Sequence, residues 1–196
     1  MASSNKQTNR LNNVISTLYT ADFDRAVYDQ LKAVKLLVCD VDGVFSDGRI
    51  YLGNQGEELK AFHTRDGYGI KSLAQCGIAV AVITGRTSQL VHERMSALNV
   101  THIIQGQEDK LTALTTLMST LGLSAEQVAS MGDDMPDVGM YQCSSIKIAV
   151  QDAHPYVAQQ ANWVTQLAGG FGAVREVTDT FLQVHGKLDG IHGSSV

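Results

Sequence analysis

The chain has 196 residues, 44% of them hydrophobic and 18% charged, which is typical of a globular protein rather than a disordered one. Its formal net charge of −5 argues against nucleic-acid binding, which requires a basic surface. We expect no membrane span, since no apolar run reaches about 18 residues, and no secretory signal at the polar N-terminus. Three scattered cysteines predict neither disulfides nor a zinc site, and they favour the cytoplasm.

The N-terminal part is polar, so we expect residues 1–12 to be flexible. Helical spacing of apolar residues then predicts one or two helices over residues 14–33. A buried strand follows at Leu36-Leu37-Val38-Cys39 and ends in Asp40. If that strand continued, Asp42 would face the same side as Asp40, because the period of a strand is two.

A β-hairpin is predicted next, because two strand-like segments flank the turn sequence Gly53-Asn54-Gln55-Gly56. Beyond it, further buried strands are expected at residues 78–83, 128–131 and 146–150, with a short strand at 102–104. Helices are expected at residues 67–75, 88–98, 109–121, 136–141 and 173–185. This alternation indicates a Rossmann-like α/β sandwich of three layers with a central parallel sheet. Residues 13–188 should form its single domain, and residues 189–196 a mobile tail.

Polar residues follow three of the predicted strands: Asp40 and Asp42 the first, Thr84 the second, and Asp133 with its neighbour the third. Ligands of parallel sheets bind outside the carboxyl ends of the strands, so these side chains should share one site. Two carboxylates as close as Asp40 and Asp42 repel each other unless a cation or a shared proton relieves them. We therefore expect a metal ion there.

Phosphoryl transfer needs these groups. A carboxylate nucleophile, Asp40, can attack phosphorus and form an aspartyl-phosphate. Mg²⁺ held by Asp40 and Asp133 would screen the repulsion between nucleophile and phosphate. Asp42 would protonate the leaving alcohol and then activate water.

The phosphate oxygens need hydrogen-bond donors. We expect these to be the Thr84 hydroxyl, the Gly85 backbone N–H and the Lys110 ammonium. Asp134 and Asp137 are expected to orient the metal ligands rather than to bind the metal themselves.

Four motifs in order resemble those of the haloacid-dehalogenase-type phosphatases: DVDG at 40–43, ITGR at 83–86, Lys110, and GDDMPD at 132–137. Within that group, four further stretches and the hairpin in place of a cap domain resemble the 3-deoxy-D-manno-octulosonate 8-phosphate phosphatases: HTRDGYGIK at 63–71, QGQEDK at 105–110, DAHP at 152–155 and GGFGAVREV at 169–177.

The resemblance implies a capless, Mg²⁺-dependent enzyme of lipopolysaccharide core biosynthesis in a Gram-negative bacterium. It also implies a homotetramer, in which hairpins and the C-terminal tails of neighbouring subunits close the sites. The implied metal ligands are Asp40, the backbone carbonyl of Asp42, and Asp133. The implied substrate-binding residues, in addition to Gly85, are Asp42, His63, Thr64, Arg65, Asp66, Gly67, Lys71, Arg86, Arg94 and Lys110. At Phe171 we expect a basic residue in close relatives, so this chain should lack one contact there, and Arg175 is the alternative.

Two other functions stay open at this point. A phosphatase for a nine-carbon sugar-acid 9-phosphate shares the same motifs. A phosphoacceptor receiver domain also uses carboxylates, a threonine and a lysine around Mg²⁺, but its acidic pair precedes the strand that carries the phosphorylated aspartate. A catalytically silent assembly protein is disfavoured, because the whole set of reactive residues is present.

Overall fold

The computed structural model describes residues 14–16 and 22–190. The strands are β1 (Val14–Ser16), β2 (Asp22–Asp24), β3 (Leu36–Cys39), β4 (Tyr51–Leu52), β5 (Glu58–Leu59), β6 (Ala79–Ile83), β7 (His102–Ile104), β8 (Val128–Gly132), β9 (Ile146–Ala149) and β10 (Trp163–Val164). The helices are α1 (Arg25–Ala33), α2 (Thr64–Leu73), α3 (Gln89–Ala97), α4 (Lys110–Leu121), α5 (Val138–Tyr141), α6 (Pro155–Gln160) and α7 (Ala173–Val184). Single 3₁₀ turns cover Ala74–Cys76, Ala125–Gln127, Met135–Asp137 and Leu188–Gly190.

The central sheet has six strands in the order β10-β9-β8-β3-β6-β7. Every neighbouring pair in it is parallel. β3 lies in the middle, where Leu37 pairs with Val80 of β6 and with Ala129 of β8. All four residues of β3 are buried, which explains the unbroken apolar run in its sequence.

Helices cover both faces of this sheet. Alternate residues of β3 point to opposite faces, so Leu37 joins the core under α1, α2, α3 and α7, whereas Leu36 joins the core under α4 and α5. Both cores are continuous clusters of buried apolar side chains. The predicted three-layer α/β sandwich is therefore confirmed.

The predicted hairpin is also confirmed. β4 and β5 form a separate antiparallel pair, in which Tyr51 lies opposite Leu59 and Leu52 opposite Glu58. Tyr51, Leu52 and Leu59 are exposed. The hairpin follows β3 directly in the chain, so it stands at the carboxyl edge of the sheet.

Other predictions of local structure were wrong. Residues 14–16 and 22–24 form the paired strands β1 and β2 where helix was expected, because strands of three residues are too short for their period to stand out against apolar residues at helical spacing. The short elements α6 and β10 were not predicted. The strand before Asp40 does not continue to Asp42, since the N–H groups of Val44, Phe45 and Ser46 all donate to the Val41 carbonyl and form a turn. Residues 1–12 and 191–196, most of the predicted tails, lie outside the described residues.

Candidate active site

One cavity lies at the carboxyl ends of the three central strands. Asp40 follows β3, Thr84 follows β6 and Asp133 follows β8, and the strand order places β6 and β8 on either side of β3. The cavity has a volume of about 570 Å³ and is lined by Asp40, Asp42, Gly48, Thr84, Gly85, Arg86, Glu108, Lys110, Asp133, Asp134, Pro136 and Asp137. All residues predicted to act in phosphoryl transfer thus share one cavity.

Lys110 is the first residue of α4, and its buried ammonium joins two carboxylates. Its Nζ lies 2.7 Å from Asp40 Oδ1 and 2.6 Å from Asp137 Oδ1, and the side chain is only 4% exposed. Although burial acts in the opposite direction, the Asp40 and Asp137 carboxylates raise the pKa of Lys110. The lysine is therefore a fixed positive charge at the floor of the cavity.

Asp137 holds the loop after β8 in place. Its Oδ2 accepts hydrogen bonds from the backbone N–H groups of Asp133, at 2.8 Å, and of Asp134, at 3.1 Å. Its Oδ1 accepts from Lys110. Both oxygens of Asp137 are thus engaged, whereas Asp133 Oδ1 is buried without a hydrogen-bond partner.

One carboxylate oxygen from each of Asp40, Asp133 and Asp137 lies within 4.8 Å of the other two. Burial and the nearby Asp137 charge raise the pKa of Asp133 to about 8, and the same two causes raise the pKa of Asp40 to about 6. Three carboxylates face one ammonium, so two negative charges remain unbalanced when all are ionised. The DVDG turn approaches this cluster closely because Gly43, at φ +98°, has no Cβ to collide with the Asp133 carboxylate.

Asp42 points to the other side of the cavity, where it meets a lysine that the sequence analysis missed. Lys60 Nζ donates to both carboxylate oxygens of Asp42, at 2.6 Å and 2.7 Å. The ammonium also lies 3.6 Å from Glu58 Oε1, and Arg86 Nη2 lies 3.4 Å from Glu58 Oε2. Because side chains alternate along a strand, Glu58 and Lys60 lie on one face of the hairpin. This spacing could have predicted from the sequence that the two side chains are close.

Comparisons with known proteins show which family the chain belongs to. A family model described as haloacid dehalogenase-like hydrolase matches residues 94–175. The 3-deoxy-D-manno-octulosonate 8-phosphate phosphatase KdsC of Yersinia pestis is 52% identical over 163 residues, which are 83% of this chain and 87% of that protein. The corresponding enzyme of Escherichia coli K12 is 50% identical over the same length.

Solved structures agree as well. That of the Yersinia pestis phosphatase covers 93% of this chain and 98% of its own, with a TM-score of 0.88 and 48% identity. The Moraxella catarrhalis enzyme, solved with magnesium ion, phosphate ion and a KDO molecule, has a TM-score of 0.82 and 41% identity and covers 84% of this chain and 95% of its own. The chain belongs to the 3-deoxy-D-manno-octulosonate 8-phosphate phosphatases of the haloacid dehalogenase-like hydrolases. It is a phosphoric monoester hydrolase, and the family resemblance of its motifs is confirmed.

Several residues that the phosphatase resemblance implied for substrate binding lie outside the cavity described above. They group around the N-terminus of α2: His63 accepts a hydrogen bond from the Arg65 backbone N–H, and the Arg94 guanidinium packs where a Cβ on Gly67 would lie. Thr64 is the first residue of the helix. This group is called the α2 N-terminal cluster below.

Asp66 also belongs to the α2 N-terminal cluster, but its carboxylate is buried and accepts from the Arg175 backbone N–H at 2.8 Å, which joins α2 to α7. Arg65 lines a separate cavity of about 180 Å³ together with Arg175. Lys71 lines a third cavity, of about 210 Å³. Among the predicted substrate residues, those of the DVDG, ITGR and lysine motifs thus line the main cavity, and the other seven do not.

The glycine loop after β10 packs against the DVDG turn. The N–H of Gly170 donates to the Val44 carbonyl at 2.9 Å, and Gly169 lies so close to the Gly43 carbonyl that a Cβ would collide with it. Phe171, where a basic residue was expected in relatives, is 59% exposed.

Among the described residues, no helix combines the length and hydropathy that a membrane crossing requires.

Proposed function

We propose that this chain hydrolyses 3-deoxy-D-manno-octulosonate 8-phosphate to the free sugar acid and phosphate, as a step of lipopolysaccharide core biosynthesis in the cytoplasm. The observation that carries the proposal is the pairing of two differently placed carboxylates, Asp40 against Lys110 and Asp42 against Lys60, in one cavity. Family membership supports the substrate. Three free thiols, Cys39, Cys76 and Cys143, are consistent with a reducing compartment.

The reaction has two steps. In the first, a carboxylate oxygen of Asp40 forms a bond to phosphorus, and the bond between phosphorus and the sugar oxygen breaks. Asp42 gives its proton to that leaving oxygen. In the second, Asp42 takes a proton from water, whose oxygen attacks phosphorus and releases phosphate from Asp40.

The site fits a divalent cation, and we propose Mg²⁺. Asp133 Oδ1 is buried without a hydrogen-bond partner, and two unbalanced negative charges remain around Lys110. Because both Asp137 oxygens are engaged, Asp40, Asp133 and the backbone carbonyl of Asp42 are the proposed ligands, while Asp137 and Asp134 orient them. When bound, the cation lowers the repulsion between the Asp40 carboxylate and the anionic phosphate.

Donors for the phosphate oxygens surround Asp40. We assign this role to the Thr84 hydroxyl, the Gly85 backbone N–H and the Lys110 ammonium, all of which line the cavity. Lys110 also keeps the Asp40 carboxylate in one orientation through their 2.7 Å ion pair.

Recognition of the sugar acid requires cations beyond the phosphate site. Arg86 lines the cavity and is half exposed, so its guanidinium is available to an anionic substrate. We propose that the remaining recognition residues, His63, Thr64, Arg65, Asp66, Gly67, Lys71 and Arg94, act in a homotetramer whose neighbouring subunits complete the site. Light scattering tests the tetramer, and a monomer at assay concentration would contradict it.

Phosphate release from a panel of substrates tests the function. The panel holds the eight-carbon and nine-carbon sugar-acid phosphates, a hexose 6-phosphate and an aryl phosphate, each with Mg²⁺ and with EDTA. We expect Mg²⁺-dependent turnover that prefers the octulosonate. A preference for the nine-carbon acid, or equal rates on every ester, would contradict the proposed substrate. A stable acyl-phosphate without turnover would indicate a receiver domain instead.

A further inference from the structure

Lys60 pairs with Asp42, which lines the cavity, and the proposed reaction does not yet use this lysine. It follows β5 directly, and its side chain is 0% exposed. Lysine is rarely buried unless its charge is paired. Here the ammonium makes two short hydrogen bonds, both to the carboxylate of Asp42.

The pair fixes the direction of the Asp42 side chain. Apart from Lys60, the hydrogen-bond donor to this carboxylate in the described part of the chain is the Ser46 hydroxyl, at 3.4 Å. A contact of that length is weak, whereas charge-assisted bonds of 2.6 Å and 2.7 Å are strong. The orientation of Asp42 therefore depends on Lys60.

Lys60 is itself held from the hairpin. Glu58 Oε1 is buried without a hydrogen-bond partner and lies 3.6 Å from Lys60 Nζ, while Glu58 Oε2 lies 3.4 Å from Arg86 Nη2. The charges thus alternate along a row from Asp42 through Lys60 and Glu58 to Arg86. This row connects the hairpin with the loop after β6.

The row also separates the two catalytic carboxylates. One carboxylate oxygen from each of Asp40, Asp133 and Asp137 lies within 4.8 Å of the other two, and the Asp42 carboxylate is not part of that group. An acidic side chain two residues from Asp40 would otherwise be free to join the cation site. A carboxylate oxygen that coordinates the cation is not available to the leaving group.

We infer that Lys60 is a positioning residue: it holds the Asp42 carboxylate on the hairpin side of the cavity, away from the cation ligands, where it protonates the leaving group. This inference rests on the proposed phosphatase reaction. It makes the seating of the hairpin a condition for proton transfer.

The dependence of the rate on the leaving group separates this role from a structural one. An alkyl phosphate such as a sugar phosphate needs a proton on its leaving oxygen, whereas p-nitrophenolate leaves p-nitrophenyl phosphate without one. The value of kcat/KM includes the step in which the leaving group departs, so its ratio between the two substrates reports on proton donation.

We expect Lys60→Met to lower kcat/KM at least about tenfold for the sugar phosphate and less than about threefold for the aryl phosphate. Asp42→Asn should change the ratio in the same direction and further, by about 10²–10⁴-fold. The variant that combines Lys60→Met with Asp42→Asn should have the same kcat/KM for the sugar phosphate as Asp42→Asn alone, because both substitutions act through one carboxylate. Lys35→Met, at the opposite edge of the sheet, is the matched control and should leave the ratio unchanged.

Equal losses on both substrates would overturn the inference, and so would a higher KM with unchanged kcat, which would make Lys60 a substrate contact. Glu58→Gln provides a second variant if Lys60→Met does not fold: it should shift the ratio in the same direction, and an unchanged ratio would overturn the inference. The ratio can be measured with any alkyl phosphate that the wild-type chain hydrolyses. A wrong octulosonate assignment would therefore appear in the wild-type panel and not in this ratio.

Discussion

The two sides of the active-site cavity are built alike but supported differently. On the sheet side, Asp40 follows the central strand β3 and pairs with Lys110 at the start of α4. On the hairpin side, Asp42 pairs with Lys60, which comes from a two-stranded hairpin outside the central sheet. Each of the two carboxylates thus has its own buried lysine, but only Lys110 belongs to an element that packs on the central sheet.

The two sides of the cavity also differ in how exposed their carboxylates are. The carboxylates that share Lys110 are 10% and 1% exposed, whereas those that share Lys60 are 17% and 24% exposed. The proposed nucleophile and cation site must keep its geometry through the reaction, and burial provides that rigidity. The proposed proton carrier, Asp42, must exchange protons with the leaving group and with water, so a more exposed position outside the central sheet suits it.

The largest effect should come from removing the sheet-side carboxylate. Asp40→Asn keeps the shape of the side chain but removes the proposed nucleophile, and we expect turnover to fall about 10⁴-fold or more. Mg²⁺-dependent phosphate release measures it. Turnover within about tenfold of the wild-type rate would contradict the nucleophile assignment.

The two lysines should differ in what they contribute to stability. Without its lysine, a buried carboxylate pair keeps an uncompensated charge, so Lys110→Met should lose about 3–5 kcal/mol of unfolding free energy. Lys60→Met should lose less, about 1–3 kcal/mol, because water can reach Asp42 and Glu58.

Urea unfolding in EDTA measures these free energies, with Lys35→Met as the control for loss of a lysine charge. Equal losses for the two buried lysines would contradict the proposed difference between the two sides of the cavity.

The smallest effect concerns Asp66, a buried carboxylate in the α2 N-terminal cluster whose Oδ2 has no hydrogen-bond partner. Burial raises its pKa to about 6, so the folded chain binds this proton more tightly than the unfolded chain does. Ionisation of Asp66 therefore costs stability as the pH rises from about 4 to about 6. Between pH 4 and pH 7, the free energy of unfolding of Asp66→Asn should therefore rise by about 1–3 kcal/mol relative to that of the wild type.

Urea unfolding across that pH range tests the Asp66 prediction. The exposed substitution Glu93→Gln is the control and should show no such gain. A constant difference between Asp66→Asn and the wild type at all pH values would show that burial of the Asp66 charge is already compensated.

Much of the sheet side could be predicted from sequence, because local patterns carry it. The apolar run before Asp40, the motif around Thr84 and the Gly-Asp-Asp loop at Asp133 each mark the end of a buried strand, and parallel strands bring such ends to one edge. The motif resemblance predicted that Lys110 belongs to the site, and the structure shows that its ammonium pairs with the carboxylates of Asp40 and Asp137. The hairpin was predicted from its Asn/Gly turn.

On the hairpin side, local sequence patterns did not predict the contact that matters. Lys60 looks like any strand lysine in the sequence, and only the folded hairpin brings its ammonium to Asp42. The paired strands β1 and β2 were missed for another reason: each has only three residues, too few for a strand period to stand out. The α2 N-terminal cluster was assigned from family resemblance, and its part in substrate binding stays a prediction.

By itself, the sequence determined the sheet, the order of its motifs and the chemistry of the residues that end its strands, because strand and helix periodicities and turn residues are local properties. Tertiary structure decided which charges meet. It joined Asp40 to Lys110, engaged both oxygens of Asp137 and left Asp133 Oδ1 without a partner. It also turned Asp42 towards Lys60. Electrostatic pairing depends on distance and burial, and only the folded chain sets both of these.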